Sequence, residues 1–186
     1  MRKIILNLAI TLDGFIEGPN GELDWLVRDP SVDFGDILNE ILSDKDAIFY
    51  GRKSYEKWGR FTPGEGSPKM KTAYELLHTK IKYVFSRSVT GDGTNAIFIN
   101  DNIKEKVQQL KQQRGKNIWL YGGASIVTTF LNLDLVDEFR LAVHPVIIGK
   151  GKPLFQNIEH RHRLNLISTV GYKSGVTLVT YETKRD

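Results

Sequence analysis

The stretch that most constrains this chain is residues 117–131, NIWLYGGASIVTTFL. Five residues rich in β-formers run into Gly122 and Gly123 and then into a short apolar helical pattern, which reads as strand, tight turn, helix. A glycine pair removes both Cβ atoms where the chain reverses, so backbone can approach a ligand closely and the first free N–H groups of the helix can point at it. That geometry suits a pyrophosphate. The same glycines can also do no more than relieve crowding between strand and helix, and these residues alone leave both uses open.

A second stretch favours the ligand. Residues 46–50, DAIFY, form a short strand, and Gly51-Arg52-Lys53-Ser54-Tyr55 follows at once, turning into a short helix through Trp58. Arginine grips a phosphate with two parallel hydrogen bonds, lysine adds a point charge, and Ser54 can cap the helix or bind an oxygen. A solvated basic turn is the plain alternative. The strand at residues 82–86 ends in the same chemistry, Ser86 followed by Arg87.

The 186 residues are read as one domain, 1–186, large enough to bury a core without metal or crosslinks. With 40% hydrophobic and 26% charged residues, neither disorder nor a membrane class is favoured, and no apolar run reaches the roughly 20 residues that span a bilayer. The start, MRKIILNLAITLDGF, alternates and then meets Asp13 and Gly14, so residues 2–10 read as a first strand and not a secretory signal. Absence of cysteine excludes disulfides, thiolate catalysis and cysteine-ligated zinc, and fits a cytoplasmic location. A net charge of +4 suits polyphosphate ligands, and no aromatic-basic signature for nucleic acid occurs; neither a nucleic-acid nor a membrane partner is expected.

Between these stretches strand and helix alternate. Phe34, Ile37, Leu38, Ile41 and Leu42 make one helical face, with Asp33 and Asp36 at or just before its first turn, where carboxylates cap free amides. Trp25, in a loop beside acids, reads either as part of a lid over a site or as a plug at the core edge. Residues 63–68 form a surface loop, residues 70–77 a helical pattern, residues 96–99 a strand, and residues 101–114 an amphipathic helix with Ile103, Val107 and Leu110 inward, closed by Gly115. This predicts an α/β architecture on a largely parallel sheet. A long strand at 136–148, broken by Pro145, and a terminal pair at 163–170 and 176–183 add an antiparallel hairpin.

Other chemistries fail on spacing: there is no hydrolase nucleophile elbow, no P-loop and no triple-glycine dinucleotide fingerprint. Among the four histidines, His160 and His162 lie in a basic stretch read as solvated, and His144 before Pro145 reads as structural; no metal site is expected.

Taken together, LNLAITLDGFI, DAIFYGRKSYEKWG, VFSRS, WLYGGASIVTTFL and VDEFRLAVHPVIIGKGKPLF resemble the dihydrofolate reductase-like superfamily, and most of all the C-terminal reductase domain of the bifunctional riboflavin-biosynthesis deaminase-reductases and the stand-alone proteins built like it. The resemblance runs in unbroken order over nearly the whole chain. It implies a three-layer fold, a mostly parallel sheet of about eight strands with helices on both faces, NADPH bound across the strand ends, and frequent homodimers. By the same resemblance Gly51, Arg52, Lys53 and Ser54 hold the adenosine phosphates, especially the 2′-phosphate, and Ser86 and Arg87 match the second adenosine-side turn. Tyr121, Gly122, Gly123, Ala124, Ser125 and Ile126 match the pyrophosphate turn, where the glycine-glycine peptide is often cis. Ala9 and the loop around Gly14 match the nicotinamide end, with Trp25 on the substrate side.

The substrate half departs from dihydrofolate reductase. The pterin-binding acid is matched only by Asp33 or Asp36, its hydroxyl partner appears as Ala142 or a neighbour, and the folate-gripping arginine has no match. The implied activity is hydride transfer from NADPH to a C=N or C=O bond of a small heterocycle or sugar phosphate, in the manner of 5-amino-6-(5-phosphoribosylamino)uracil reductase or dihydrofolate reductase. Asp33, Asp36, or a water held by one, is the expected proton source; a carboxylic acid serves directly near neutrality only if burial raises its pKa. The alternative is a non-catalytic NADPH-binding or scaffold protein that kept the fold.

Overall fold

The computed structural model describes residues 1–29, 32–61, 64 and 66–185; Pro63 and Glu65 of the expected surface loop lie outside them. Among the described residues, one eight-stranded sheet runs in the order β5 (Ile97–Ile99), β4 (Ile81–Phe85), β3 (Lys45–Gly51), β6 (Asn117–Gly122), β1 (Ile4–Thr11), β7 (Glu138–His144), β10 (Thr177–Thr183), β9 (Leu164–Gly171), mostly parallel with antiparallel C-terminal strands, and five helices accompany it. Packing groups the residues into two compact units, Met1–Lys3 with Asp29–Tyr121, and Ile4–Arg28 with Gly122–Asp186.

The first unit carries β3 (Lys45–Gly51), β4 (Ile81–Phe85) and β5 (Ile97–Ile99), paired in parallel, with Gly51 opposite Phe85 and Phe85 opposite Ile99. Their C-terminal ends therefore open side by side. Helix α1 (Phe34–Ser43) and helix α3 (Pro68–Thr79) bury Leu38, Leu42, Ala73 and Leu77 in one cluster with Ile48, Tyr50, Val84 and Trp119. Each fully buried leucine of that kind contributes about 1.5–3 kcal/mol. Helix α4 (Ile103–Gln112) is shorter than the 101–114 expected, and Ile103 is only half buried while Val107 and Leu110 point inward.

The first turns of α1 and α3 are locked together. Asp33 caps α1 by accepting from the Gly35 N–H at 2.7 Å, Ser67 caps α3 by accepting from the Met70 N–H at 3.1 Å, and the Ser67 hydroxyl hydrogen-bonds Asp33. Gly35 permits this approach, because a Cβ there would lie 2.4 Å from the backbone of Lys69 and Met70. Gly35→Ala is accordingly expected to destabilise the protein by about 1–3 kcal/mol through overpacking against backbone, although alanine is the better helix former. Urea denaturation measures this; a neutral or stabilised variant would show that the helices separate freely.

In the second unit β1 (Ile4–Thr11) and β7 (Glu138–His144) are parallel neighbours, in register from Ile5 opposite Glu138 to Thr11 opposite His144. Strand β10 (Thr177–Thr183) runs antiparallel to β7 and to the edge strand β9 (Leu164–Gly171), which is the expected hairpin. The strand predicted over 136–148 is confined to β7, since the Pro145 nitrogen has no proton to continue a ladder. Two elements were not foreseen: β2 (Phe15–Glu17) and β8 (Lys152–Pro153), an antiparallel pair too short to show periodicity.

Candidate functional site

In the first unit, the residues expected to form a phosphate grip lie at the end of β3. Strand β3 ends at Gly51, and Arg52–Ser54 begin a helical turn, α2, that runs into a π turn, Tyr55–Gly59. The Gly51–Phe85 pairing sets this turn beside Ser86 and Arg87. Arg52 lies at the surface in an i,i+4 pair with Glu56 at 2.8 Å, and Lys53 is exposed. Ser86 is buried, and its hydroxyl accepts from the Val89 N–H at 2.9 Å, shaping the turn. Asn100 was missed by sequence reading: its amide donates to the carbonyls of Ser86 and Val89 at 2.8 and 2.7 Å, fixing the turn from the next strand end.

Strand β6 (Asn117–Gly122) belongs to the first unit up to Tyr121, and the second unit resumes at the glycine pair, which leads into helix α5 (Ala124–Asn132). Gly122 has φ 114° and Gly123 φ 41°, ψ 151°, backbone states that disfavour any side chain. The demand at Gly122 is conformational, since a Cβ there would meet only Leu8 at an ordinary 3.8 Å. The bond joining the two is trans, not the cis form the resemblance suggested. Ala124 and Ile126 are buried under the turn, Ser125 is exposed, and Tyr121, in the first unit, stacks on Tyr50 and Trp119.

The loops beyond β1 and β7 are clasped by Asp13, which sequence reading left without a role. Its carboxylate accepts from the Thr11 hydroxyl at 2.7 Å and from the N–H groups of Ile148 and Gly149 at 3.2 and 2.8 Å, while the Leu12 N–H donates to Val146. These bonds, the Thr11 hydroxyl first, hold the carboxyl below its ordinary 3.8. The stabilisation is therefore complete above pH 3.8 and disappears as pH falls through the depressed value. Gly14, at φ 89°, lets the chain turn back, and Ala9 lies opposite Ala142 in the ladder. Leu12 and Ile147, on the clasped loops, face solvent.

Trp25 is 8% exposed and packs edge-on against His144, with ring centroids 5.4 Å apart; its indole Nε1 is buried without a hydrogen-bond partner. His144 accepts from the Val27 N–H through Nδ1 at 3.0 Å, and burial pushes its pKa down, so the ring is neutral and ties this loop to β7.

The expected carboxylic acids are placed differently from what direct proton donation needs. Asp33 is a helix cap, as carboxylates at that position were expected to be, and the Ser67 hydroxyl and the Gly35 N–H lower its carboxyl, the opposite of the upward shift that direct proton donation would require. Asp36 is half exposed and pairs with Lys69 at 2.6 Å. His160 and His162, expected to be solvated, are brought together beside Asp134, with His160 exposed and the His162 side chain largely buried.

Sheet order, strand-end turns and a glycine-led helix together define a dihydrofolate reductase-like fold. A solved dihydrofolate reductase from Enterococcus faecalis, complexed with NADP(H), covers 98% of this chain and 97% of its own at a TM-score of 0.63 and 12% identity. More narrowly, the chain belongs to the RibD C-terminal domain family, whose model matches residues 2–178. The Bacillus subtilis (strain 168) protein YyaP is 54% identical over 181 residues, 97% of this chain and 94% of its own length. A Shewanella sp. PV-4 structure named for riboflavin biosynthesis is 26% identical, with a TM-score of 0.79 and full coverage of both chains. Among the described residues, no helix is long and apolar enough to cross a membrane.

Proposed function

We propose that this protein is a single-domain NADPH-dependent reductase acting on a C=N or C=O bond of a small heterocyclic or sugar-phosphate substrate. The observation that carries the reading is the adjacent placement of the Gly51–Ser54 and Ser86–Arg87 turns by the β3–β4 register, three cations and two hydroxyls at neighbouring strand ends. Such a donor set fits a doubly anionic 2′-phosphate. The left-handed glycine turn opening α5 fits a pyrophosphate for a separate reason, because bare backbone and first-turn amides face the ligand.

When bound, NADPH supplies the hydride. This chain's residues do the rest: Arg52, Lys53 and Ser54 hold the 2′-phosphate, Gly122 to Ile126 the pyrophosphate, and the Asp13-clasped loops with Ala9 and Gly14 the nicotinamide end. Leu12 and Ile147 offer apolar cover for a flat ring, and Trp25 backs the substrate side. Asp33, held ionised, and Asp36, paired with Lys69, serve by orienting a water that delivers the proton. The test is NADPH titration followed by turnover over keto, imine and pterin substrates. Failure of NADPH to bind would end the reading.

A second reading has one observation in its favour: neither Asp33 nor Asp36 is arranged as an acid. A binding or scaffold protein that kept the fold would bind NADPH and oxidise it with no substrate.

The active form is a homodimer covering β9. Every residue of this strand is exposed, including Leu164, Leu166, Ile167 and Val170, an apolar edge that proteins ordinarily pair or blunt. Sedimentation should give twice the chain mass for wild type and the chain mass for a Leu166→Lys, Ile167→Lys variant. Monomeric wild type at micromolar concentration would refute the assignment.

A further inference from the structure

The second unit brings three ligand-type side chains to one point away from the strand-end loops. Asp134 follows α5 in a left-handed conformation, φ 55°, with its N–H donated to Leu131. His160 Nε2 lies 3.1 Å and His162 Nδ1 3.7 Å from Asp134 Oδ1, and one donor atom from each residue falls within 4.8 Å of the others. The two imidazoles lie against each other with centroids 4.4 Å apart and their planes tilted by 47°. The segment is fixed at its base: Asn132 donates to the Asn157 carbonyl and accepts from the Glu159 N–H, both at 3.1 Å, so the residue before His160 is tied to the end of α5.

A hydrogen bond from His160 to Asp134 explains one of these rings and not the other. The His162 side chain is largely buried, and its Nε2 is sealed without a partner, so no hydrogen bond on that side sets the ring's orientation. A cation at Nδ1 would set it.

We propose that Asp134, His160 and His162 bind a divalent late transition-metal ion, of the zinc, nickel, cobalt or copper class. Two imidazoles and one carboxylate are borderline donors that suit these ions and not magnesium or calcium. A tetrahedral ion about 2.1 Å from each ligand holds its donors roughly 3.4 Å apart, so small side-chain rotations close the set. Three protein ligands leave a fourth position to solvent. Arg161, Arg163 and Lys184 line the adjoining open cleft, lowering affinity for a bare cation and favouring an anionic fourth ligand. This site is independent of the NADPH reading and stands or falls apart from it.

The test is calorimetric titration of zinc chloride and nickel chloride into the full chain, carrying no added histidines and stripped with a chelator. The cobalt(II) spectrum provides a second readout. Wild type should bind one equivalent, with an intense tetrahedral cobalt band, and His160→Ala should weaken binding by about tenfold or more. His160 is exposed, so this variant keeps the fold; His162→Ala and Asp134→Asn should act the same way, and His78→Ala should not. Absence of saturable binding, or affinity unchanged in His160→Ala, overturns the proposal, as does loss of binding in His78→Ala.

Discussion

Replacing Arg52 by alanine is expected to weaken NADPH binding by roughly 10- to 150-fold, the equivalent of about 1.5–3 kcal/mol for a charge-assisted hydrogen-bonded contact. NADH affinity should hardly move. Among the described residues Arg52 is held by its pair with Glu56, and an exposed i,i+4 pair contributes no more than about 0.5 kcal/mol. A phosphate dianion that accepts two parallel guanidinium bonds outcompetes that pair with ease. Lysine at this position would keep the charge and lose the fork, so Arg52→Lys should fall between wild type and alanine. Nucleotide fluorescence titrations, run at two salt concentrations, measure all of this. The grip is misassigned if wild type binds NADH as well as NADPH, or if the alanine variant retains full affinity.

Arg2→Ala should lower stability by about 3 kcal/mol, near the lower end for breaking a buried ion pair. Arg2 is 6% exposed, forms an ion pair with Asp46, and donates through Nε to the Lys116 carbonyl at 2.6 Å. Asp46 keeps the Lys116 N–H at 2.9 Å and some solvent, which limits the loss. Gly115 belongs to the same arrangement: at φ 155° its missing Cβ leaves room for Asp46 Oδ2, which a side chain would meet at 2.5 Å. For a chain of this size the change should drop the melting midpoint by roughly 6–12 °C. A loss below about 1 kcal/mol in urea denaturation would mean that the pair is as weak as a surface one.

Local features were legible where one segment determines them. The helix at Phe34 announced itself by period and by Asp33, and the strand-turn-helix at Gly122 by the abrupt change from β-formers to glycine to apolar helix. The terminal hairpin was readable from two apolar runs around a glycine-bounded turn. Features that join distant segments were not. Arg2 and Asp46 are 44 positions apart, and nothing near either marks the other. Asp13 meets Ile148 and Gly149 only because β1 and β7 are neighbours in the sheet. Gly35 looked like an ordinary helix residue, since its role is set by the backbone of Lys69. The same limit hid Asp134 from His160, and it hid the Ser67 hydroxyl that reaches Asp33 from the next helix, although the capping use of Asp33 itself was readable.

The Asp13 clasp also restricts how the loops beyond β1 and β7 can move. A single carboxylate accepts bonds from both sides, and β2 and β8 repeat the union a few residues further on. Neither loop can separate from the other without breaking these bonds, so under the proposed function the two would shift together as ligand enters and leaves. Asp13→Ala would remove the carboxylate's share of that tie and leave the Leu12–Val146 hydrogen bond and the β2–β8 pairing to hold the loops together.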